Sequence, residues 1–209
     1  MPLTEPNLKA LALVCSLKSS DEPSSSELLA SHILQEMEQY GVQGKVHRIA
    51  DLNIMPGVET DMGEGDDWPA IRQEMFASDI LILATPIWVG HPSSFAQRVI
   101  ERLDAELAET DKEGRLLTYG KVAVVAVVGN EDGAHKVTAD MFQALSDVGF
   151  TVPANGSTYW VGEAMQKKDY KDLEEIPEVI QQTTKSLAAN ATHLARLLQA
   201  NPYSSPKSE

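Results

Sequence analysis

Three short stretches concentrate the residues that can do chemistry in this chain: CSLKSSDEPSSSELL from Cys15, TPIWVGHPSSFAQ from Thr85 and GNEDGAHK from Gly129. The first holds Ser16, Lys18, Ser19, Ser20, Ser24, Ser25 and Ser26 ahead of an amphipathic helical pattern. A helix start offers unpaired N–H groups at the positive end of its dipole, and hydroxyls beside them complete a phosphate cradle. Ser24-x-x-Glu27 is also a capping box, which needs no ligand. Capping uses one serine and leaves the others unexplained, so phosphate binding is the expectation, with Lys18 as the charge partner.

In the second stretch Pro86, Ile87, Trp88, Val89 and Gly90 directly follow an apolar run. An exposed Ile-Trp-Val is costly in water, so a flat aromatic ligand or a second subunit should cover it, unless Trp88 folds back onto the core. Gly90 lets backbone approach a ligand closely, and Ser94-x-x-Gln97 reads as another capping box. The third stretch brings Asn130, Asp132 and Gly133 to a helix start, with Asp132 or Asn130 as a cap or the loop as a source of backbone N–H groups. His91 and His135 flank the same region, as proton carriers or as surface residues. His32, His47 and His193 stand apart, with no partner visible in the sequence.

Several chemistries are excluded by what is missing. The dinucleotide signature G-x-G-x-x-G does not follow the first apolar run. A Cys-x5-Arg phosphatase loop fails because Asp21 stands in the corresponding region, and the ends expected to carry receiver-domain carboxylates read Cys-Ser and Thr-Pro. The lone Cys15 can form neither an intrachain disulfide nor a cysteine-rich metal site, which suits a reducing cytoplasm. The chain has 17 Lys+Arg against 31 Asp+Glu, a formal charge of −14, so nucleic acid and anionic membranes are unsuitable partners without a basic patch, and none is visible. The longest apolar run, Val122 to Val128, is too short to span a bilayer, and the N-terminal run lacks the basic start of a signal peptide.

The elements that must position these loops alternate. Leu8 to Cys15, Lys45 to Ile49, Ile80 to Ala84 and Val122 to Val128 read as strands, with a fifth near Thr151 to Pro153 or around Tyr159. Between them, helical spacing places Leu29, Ile33, Met37 and Tyr40 on one face, stopped by Gly41. Phe95, Val99, Ile100, Leu103 and Leu107 share another, as do Val137, Met141, Leu145 and Val148. Val179, Thr183, Leu187, Leu194 and Leu198 close the chain, with Pro177 just inside the helix start. A short helix from Trp68 to Ala77 is expected, capped by Asp67, after a solvated acidic loop from Ala50 to Asp67. Parallel strands need helical crossovers, so this order predicts an α/β sandwich of three layers, α/β/α, around a five-stranded parallel sheet of order 2-1-3-4-5. A ligand then sits at the carboxyl ends of the strands, where all three loops lie. Residues 1–200 read as one domain and 201–209 as a frayed tail.

Together the loops resemble those of the flavodoxin-like NAD(P)H-dependent FMN reductase family. The matching residues are Ser16-Leu17-Lys18 with Ser25-Ser26-Glu27-Leu28-Leu29, Thr85-Pro86-Ile87-Trp88-Val89-Gly90 with Ser93-Ser94, and Gly129-Asn130-Glu131-Asp132-Gly133. The resemblance implies FMN as cofactor and NADPH or NADH as co-substrate, with electrons passed to a quinone, another flavin or a similar small acceptor. It implies that Ser16, Lys18, Ser24, Ser25 and Ser26 hold the phosphate. Pro86, Ile87, Trp88, Val89 and Gly90 then meet ribityl and ring, and Asn130, Glu131, Asp132 and Gly133 the ring's polar edge. Such chemistry belongs to the flavin, so no catalytic side chain is expected. Lys18 stands where many relatives have arginine. The exposed Trp88 stretch adds an expected homodimer or homotetramer. An FMN electron carrier of flavodoxin type, without NAD(P)H activity, fits the same loops, and its acidic surface would suit basic redox partners; an FMN-free scaffold of this fold is the third reading.

Overall fold

A computed structural model describes residues 7–164 and 166–205. The ends of the chain read above as part of the 1–200 domain and of the tail, residues 1–6 and 206–209, lie outside the described residues. The apolar runs form β1 (Lys9–Val14), β2 (Gln43–Arg48), β3 (Ile80–Trp88), β5 (Val122–Gly129) and β6 (Ser157–Val161), with a two-residue β4 (His91–Pro92). All pairings are parallel except β3 with β4, and the order β2-β1-β3-β5-β6 is the expected 2-1-3-4-5 once the β4 hairpin is set aside.

Alternation along the strands builds two cores. One packs Ala10, Ala12 and Val14 with Ile82, Val124 and Val128 under α1 (Ser25–Glu38) and α5 (Glu178–Ala200). The other packs Leu11, Leu13, Leu83 and Val125 under α2 (Trp68–Phe76), α3 (Ser94–Leu103) and α4 (Ala134–Asp147). β1, β3 and β5 are apolar on both faces for this reason, which makes the sheet a three-layer sandwich.

Several local expectations are corrected. Of the two places read for the fifth parallel strand, the one around Tyr159 holds, as Ser157–Val161, while Thr151 makes only an isolated bridge to Val122. Tyr40 lies past the end of α1 and is exposed, and Leu107 lies in a 3-10 turn, Asp104–Ala108, with its side chain outward. The cap of α3 is Ser93, whose Oγ accepts the Ala96 N–H, and not Ser94. Asp67 occupies the cap position of α2, but its carboxylate accepts the Asn53 N–H instead of a helix N–H. Pro177 is the cap residue of α5 and lies just outside the helix.

The acidic stretch 50–67 is not simply solvated. Asp66 pairs with Arg102 of α3 at 2.7 Å, both side chains fully buried, while Arg102 also donates to the carbonyls of Met55 and Glu59. His32 and His47 likewise have partners that the sequence hid, Tyr170 and Glu74. Tyr203, in the stretch read as tail, exchanges a hydrogen bond with Thr151 and stacks edge-on against Tyr119.

Candidate functional site

The carboxyl ends of β1, β3 and β5 open on one cavity of about 520 Å³, and the three chemistry-bearing loops converge there. Ser16, Lys18, Ser24, Ser25, Ser26, Pro86, Ile87, Trp88, Val89, Asn130 and Glu131 all line it. Gly90, Asp132 and Gly133 do not. A Cβ on Gly133 would come within 3.0 Å of Gly90 Cα, so the two glycines pack the third loop directly against the β3–β4 turn. Asp132 Oδ1 accepts the adjacent Gly133 N–H at 2.7 Å.

At one end of the cavity α1 begins. Ser24 Oγ accepts the Glu27 N–H at 3.3 Å, so the cap is real, but Glu27 turns away from the capping box and pairs with Arg48 of β2. Ser25 Oγ accepts the Lys171 N–H at 3.2 Å. Ser26 is 2% exposed, and its hydroxyl has no partner among the described residues. The N–H groups of Ser25 and Ser26 belong to the first helical turn, which has no intrahelical acceptor for them. These are donors that an oxyanion would satisfy. Lys18 is 53% exposed in its side chain and lies 3.2 Å from Glu22. Asp51 accepts the Ser20 N–H at 2.8 Å; bonds from the backbone and side chain of Ser20, with Arg48 nearby, hold its carboxyl below the usual range.

The middle of the site is the end of β3. Thr85 Oγ1 accepts the Ser93 N–H at 3.1 Å, and Ser93 Oγ donates to the Cys15 carbonyl at 2.6 Å, tying β1, β3 and the start of α3 together. Cys15 is fully buried, and burial pushes its thiol far up, away from reactivity. Ile87 is 3% exposed, so only two members of the Ile-Trp-Val run face outward: Trp88 at 53% and Val89 at 85%. Trp88 is therefore not folded back onto the core.

One wall was missed from the sequence. Trp160 of β6, with Gln166, Asp169 and Tyr170 from the segment after it, closes the cavity. Asn130 Nδ2 donates to Asp169 Oδ1 at 2.7 Å, fastening that segment to the third loop. Tyr170 is buried beside Trp160, ring centroids 5.8 Å apart, and its hydroxyl lies 3.0 Å from His32 Nδ1. Burial pushes the Tyr170 phenol up to about 12 and lowers His32 below its ordinary value. The Tyr159-Trp160 pair next to a buried strand was the one signal for this wall. His91 and His135 stay outside the cavity wall: His91 Nδ1 is 3.2 Å from Lys136 Nζ, and His135 Nε2 is 2.8 Å from the Tyr159 hydroxyl.

The arrangement suits a long ligand with an anion at one end and a flat ring at the other. Serine hydroxyls and free helix N–H groups line the cavity at the start of α1, and Trp88, Trp160 and backbone from Gly129 to Glu131 line it elsewhere. Among the described residues no cluster of acids, histidines or thiols could hold a metal, and no helix is long and apolar enough to cross a membrane.

Comparison with known proteins agrees with this geometry. The chain is 34% identical over 206 residues to a Mycobacterium bovis protein named divalent metal cation transporter MntH, but spans 30% of that protein's length and 95% of its own. It is 33% identical over 210 residues to the 8-demethyl-8-aminoriboflavin-5'-phosphate synthase of Streptomyces davaonensis, covering 94% of this chain and 80% of that one. A crystal structure of RosB with a bound intermediate, 8-demethyl-8-formylriboflavin-5'-phosphate, superposes with a TM-score of 0.83 at 31% identity, over 94% of this chain and 82% of that one. The model of one family, NADPH-dependent FMN reductase, matches residues 8–166. The chain belongs to the NADPH-dependent FMN reductase family, whose fold is flavodoxin-like and whose cofactors are FMN and a nicotinamide.

Proposed function

We propose that this protein is a reductase that draws electrons from NADPH or NADH through FMN held in the 520 Å³ cavity and passes them to a small acceptor such as a quinone or a second flavin. The observation that carries the reading is Ser26. A serine only 2% exposed that lines the cavity with no protein partner for its hydroxyl, beside free N–H groups at a helix start, suits an oxyanion at the start of α1.

In this reading Ser16, Lys18, Ser24, Ser25 and Ser26 surround the phosphate. Pro86, Ile87, Trp88 and Val89 form the floor and lip along ribityl and ring, with Gly90 shaping the turn. Asn130 and Glu131 present polar groups to the ring edge, and Asp132 and Gly133 support them from behind. When bound, FMN supplies the hydride acceptor and the electron donor. The protein's own part is to orient the ring, leave one side open at Trp88 and exclude water with Trp160 and Tyr170. A second copy of the chain covers Trp88 and Val89. The buried lone thiol suits a reducing compartment such as the cytoplasm.

Chromatography of chromophore released from the purified protein tests the cofactor assignment. FMN is the expected species, because among the described residues α1 is the one α-helix whose start lines the cavity. Recovery of FAD alone, or failure to take up added FMN, would contradict it.

The likeness to the Streptomyces synthase favours a second reading, in which a riboflavin phosphate in this cavity is itself the substrate. A flavin whose mass is unchanged after many turnovers with NADPH supports the reductase; a modified flavin supports the alternative.

A further inference from the structure

Resting on the reading that the first loop holds a phosphate, we propose that Arg48, and not Lys18, is the cation that makes this loop competent for it, acting as a positioning residue that does not touch the ligand. Lys18 lines the cavity, but its ammonium is engaged by Glu22 and both side chains are more than half exposed, where solvent screens such charges strongly. Arg48 ends β2 with a side chain only 2% exposed. Its Nη1 donates to the carbonyls of Lys18 at 3.1 Å, Ser19 at 2.8 Å and Glu22 at 3.2 Å, and its Nη2 pairs with the Glu27 carboxylate.

Two consequences follow for an anion. The peptides here are trans, so each N–H points opposite to its carbonyl. Drawing three carbonyls onto one buried guanidinium turns the negative ends of the loop dipoles toward Arg48 and directs the Ser19 N–H away from it. The second consequence concerns Glu27, which stands in the first turn of α1. A bare carboxylate there would compete with a phosphate for the positive end of the helix. The guanidinium neutralises it, and the always-charged fork can serve carbonyls and carboxylate together as a lysine cannot. Ser26, buried, partnerless and lining the cavity, is the independent sign that a ligand belongs at this helix end.

The test is titration of apo-protein with FMN, with riboflavin, which lacks the phosphate, and with inorganic phosphate as a probe of the anion end alone. Arg48→Lys, and Arg48→Met combined with Glu27→Gln, should each lower the FMN-to-riboflavin affinity ratio by about tenfold or more, and Lys18→Ala by less than about threefold. Glu27→Gln alone should leave that ratio unchanged or raise it, which keeps the proposal testable if the Arg48 variants do not fold by circular dichroism. An unchanged ratio in folded Arg48 variants, a Lys18→Ala effect as large as theirs, or a lowered ratio in Glu27→Gln would overturn the role of Arg48 while leaving FMN binding intact. Wild-type protein that binds neither FMN nor phosphate would instead overturn the reading of the cavity, and this inference with it.

Discussion

The Val89 N–H donates to Glu131 Oε1 across 2.6 Å, joining the turn after β3 to the loop after β5 through residues 42 positions apart. Val89 has φ 52°, a left-handed conformation unfavourable for a β-branched residue by roughly 1–2 kcal/mol. A charge-assisted bond of this kind offsets such a cost. It also holds Trp88 at the cavity mouth. Glu131→Ala should therefore destabilise the protein by about 1–3 kcal/mol and weaken FMN binding. Glu131→Gln, which keeps an acceptor oxygen, should restore most of both. Urea unfolding and flavin titration check this; equal losses in the two variants would mean that the charge, and not the bond, matters.

Ser24 and Ser26 sit two residues apart and should separate cleanly. Ser24 caps α1, so Ser24→Ala should cost about 1 kcal/mol of stability. Ser26 has no protein partner, so Ser26→Ala should leave the melting temperature of apo-protein nearly unchanged and weaken FMN by about 1–3 kcal/mol. Unchanged FMN affinity in Ser26→Ala would assign the loop to capping alone.

What was legible in the sequence follows from where the physical partners lie. β3 and β5 announce themselves as apolar runs because helices cover both faces, and the Ser24 cap lies three residues from the Glu27 N–H that donates to it. The acidic loop from Ala50 to Asp67 was misread because Asp66 is answered by Arg102, 36 positions later, and no local pattern reveals such a pair. Arg48 was missed for the same reason: its acceptors are carbonyls of residues 18, 19 and 22, and backbone carries no sequence signal. The wall of Trp160, Asp169 and Tyr170 depends on β6 being placed beside β5, which settles only in three dimensions.

The Asp66–Arg102 pair sets an expectation for acid stability. Burial works to raise the Asp66 pKa, but N–H groups of Met62, Trp68 and Met55 and the Arg102 guanidinium outweigh it, and the carboxyl is held below its ordinary 3.8. A carboxyl depressed in this way contributes its full stability above pH 3.8 and loses it as pH falls through the lower folded value. Asp66→Asn leaves Arg102 buried without a counter-charge, so it should cost about 3–5 kcal/mol at neutral pH. The gap from wild type should narrow as pH drops below the wild-type folded value. A gap independent of pH in urea titrations would show that shape, and not charge, is at stake.

Trp88 and Val89 expose apolar surface at the mouth of the site, and a two-fold contact would cover both copies at once. The −14 charge opposes this only at long range, since physiological salt screens it beyond about 8 Å. Light scattering at tens of micromolar should give a dimer or larger, and Trp88→Ala should loosen both the assembly and the flavin. A flavin-loaded monomer would remove the interface.

The most direct measurement is the visible spectrum of the FMN-loaded protein during anaerobic addition of NADPH and then NADH. The reductase reading expects the flavin absorbance to bleach with at least one of them. A flavin that is bound yet stays yellow with both would contradict it and leave the cavity to an electron carrier.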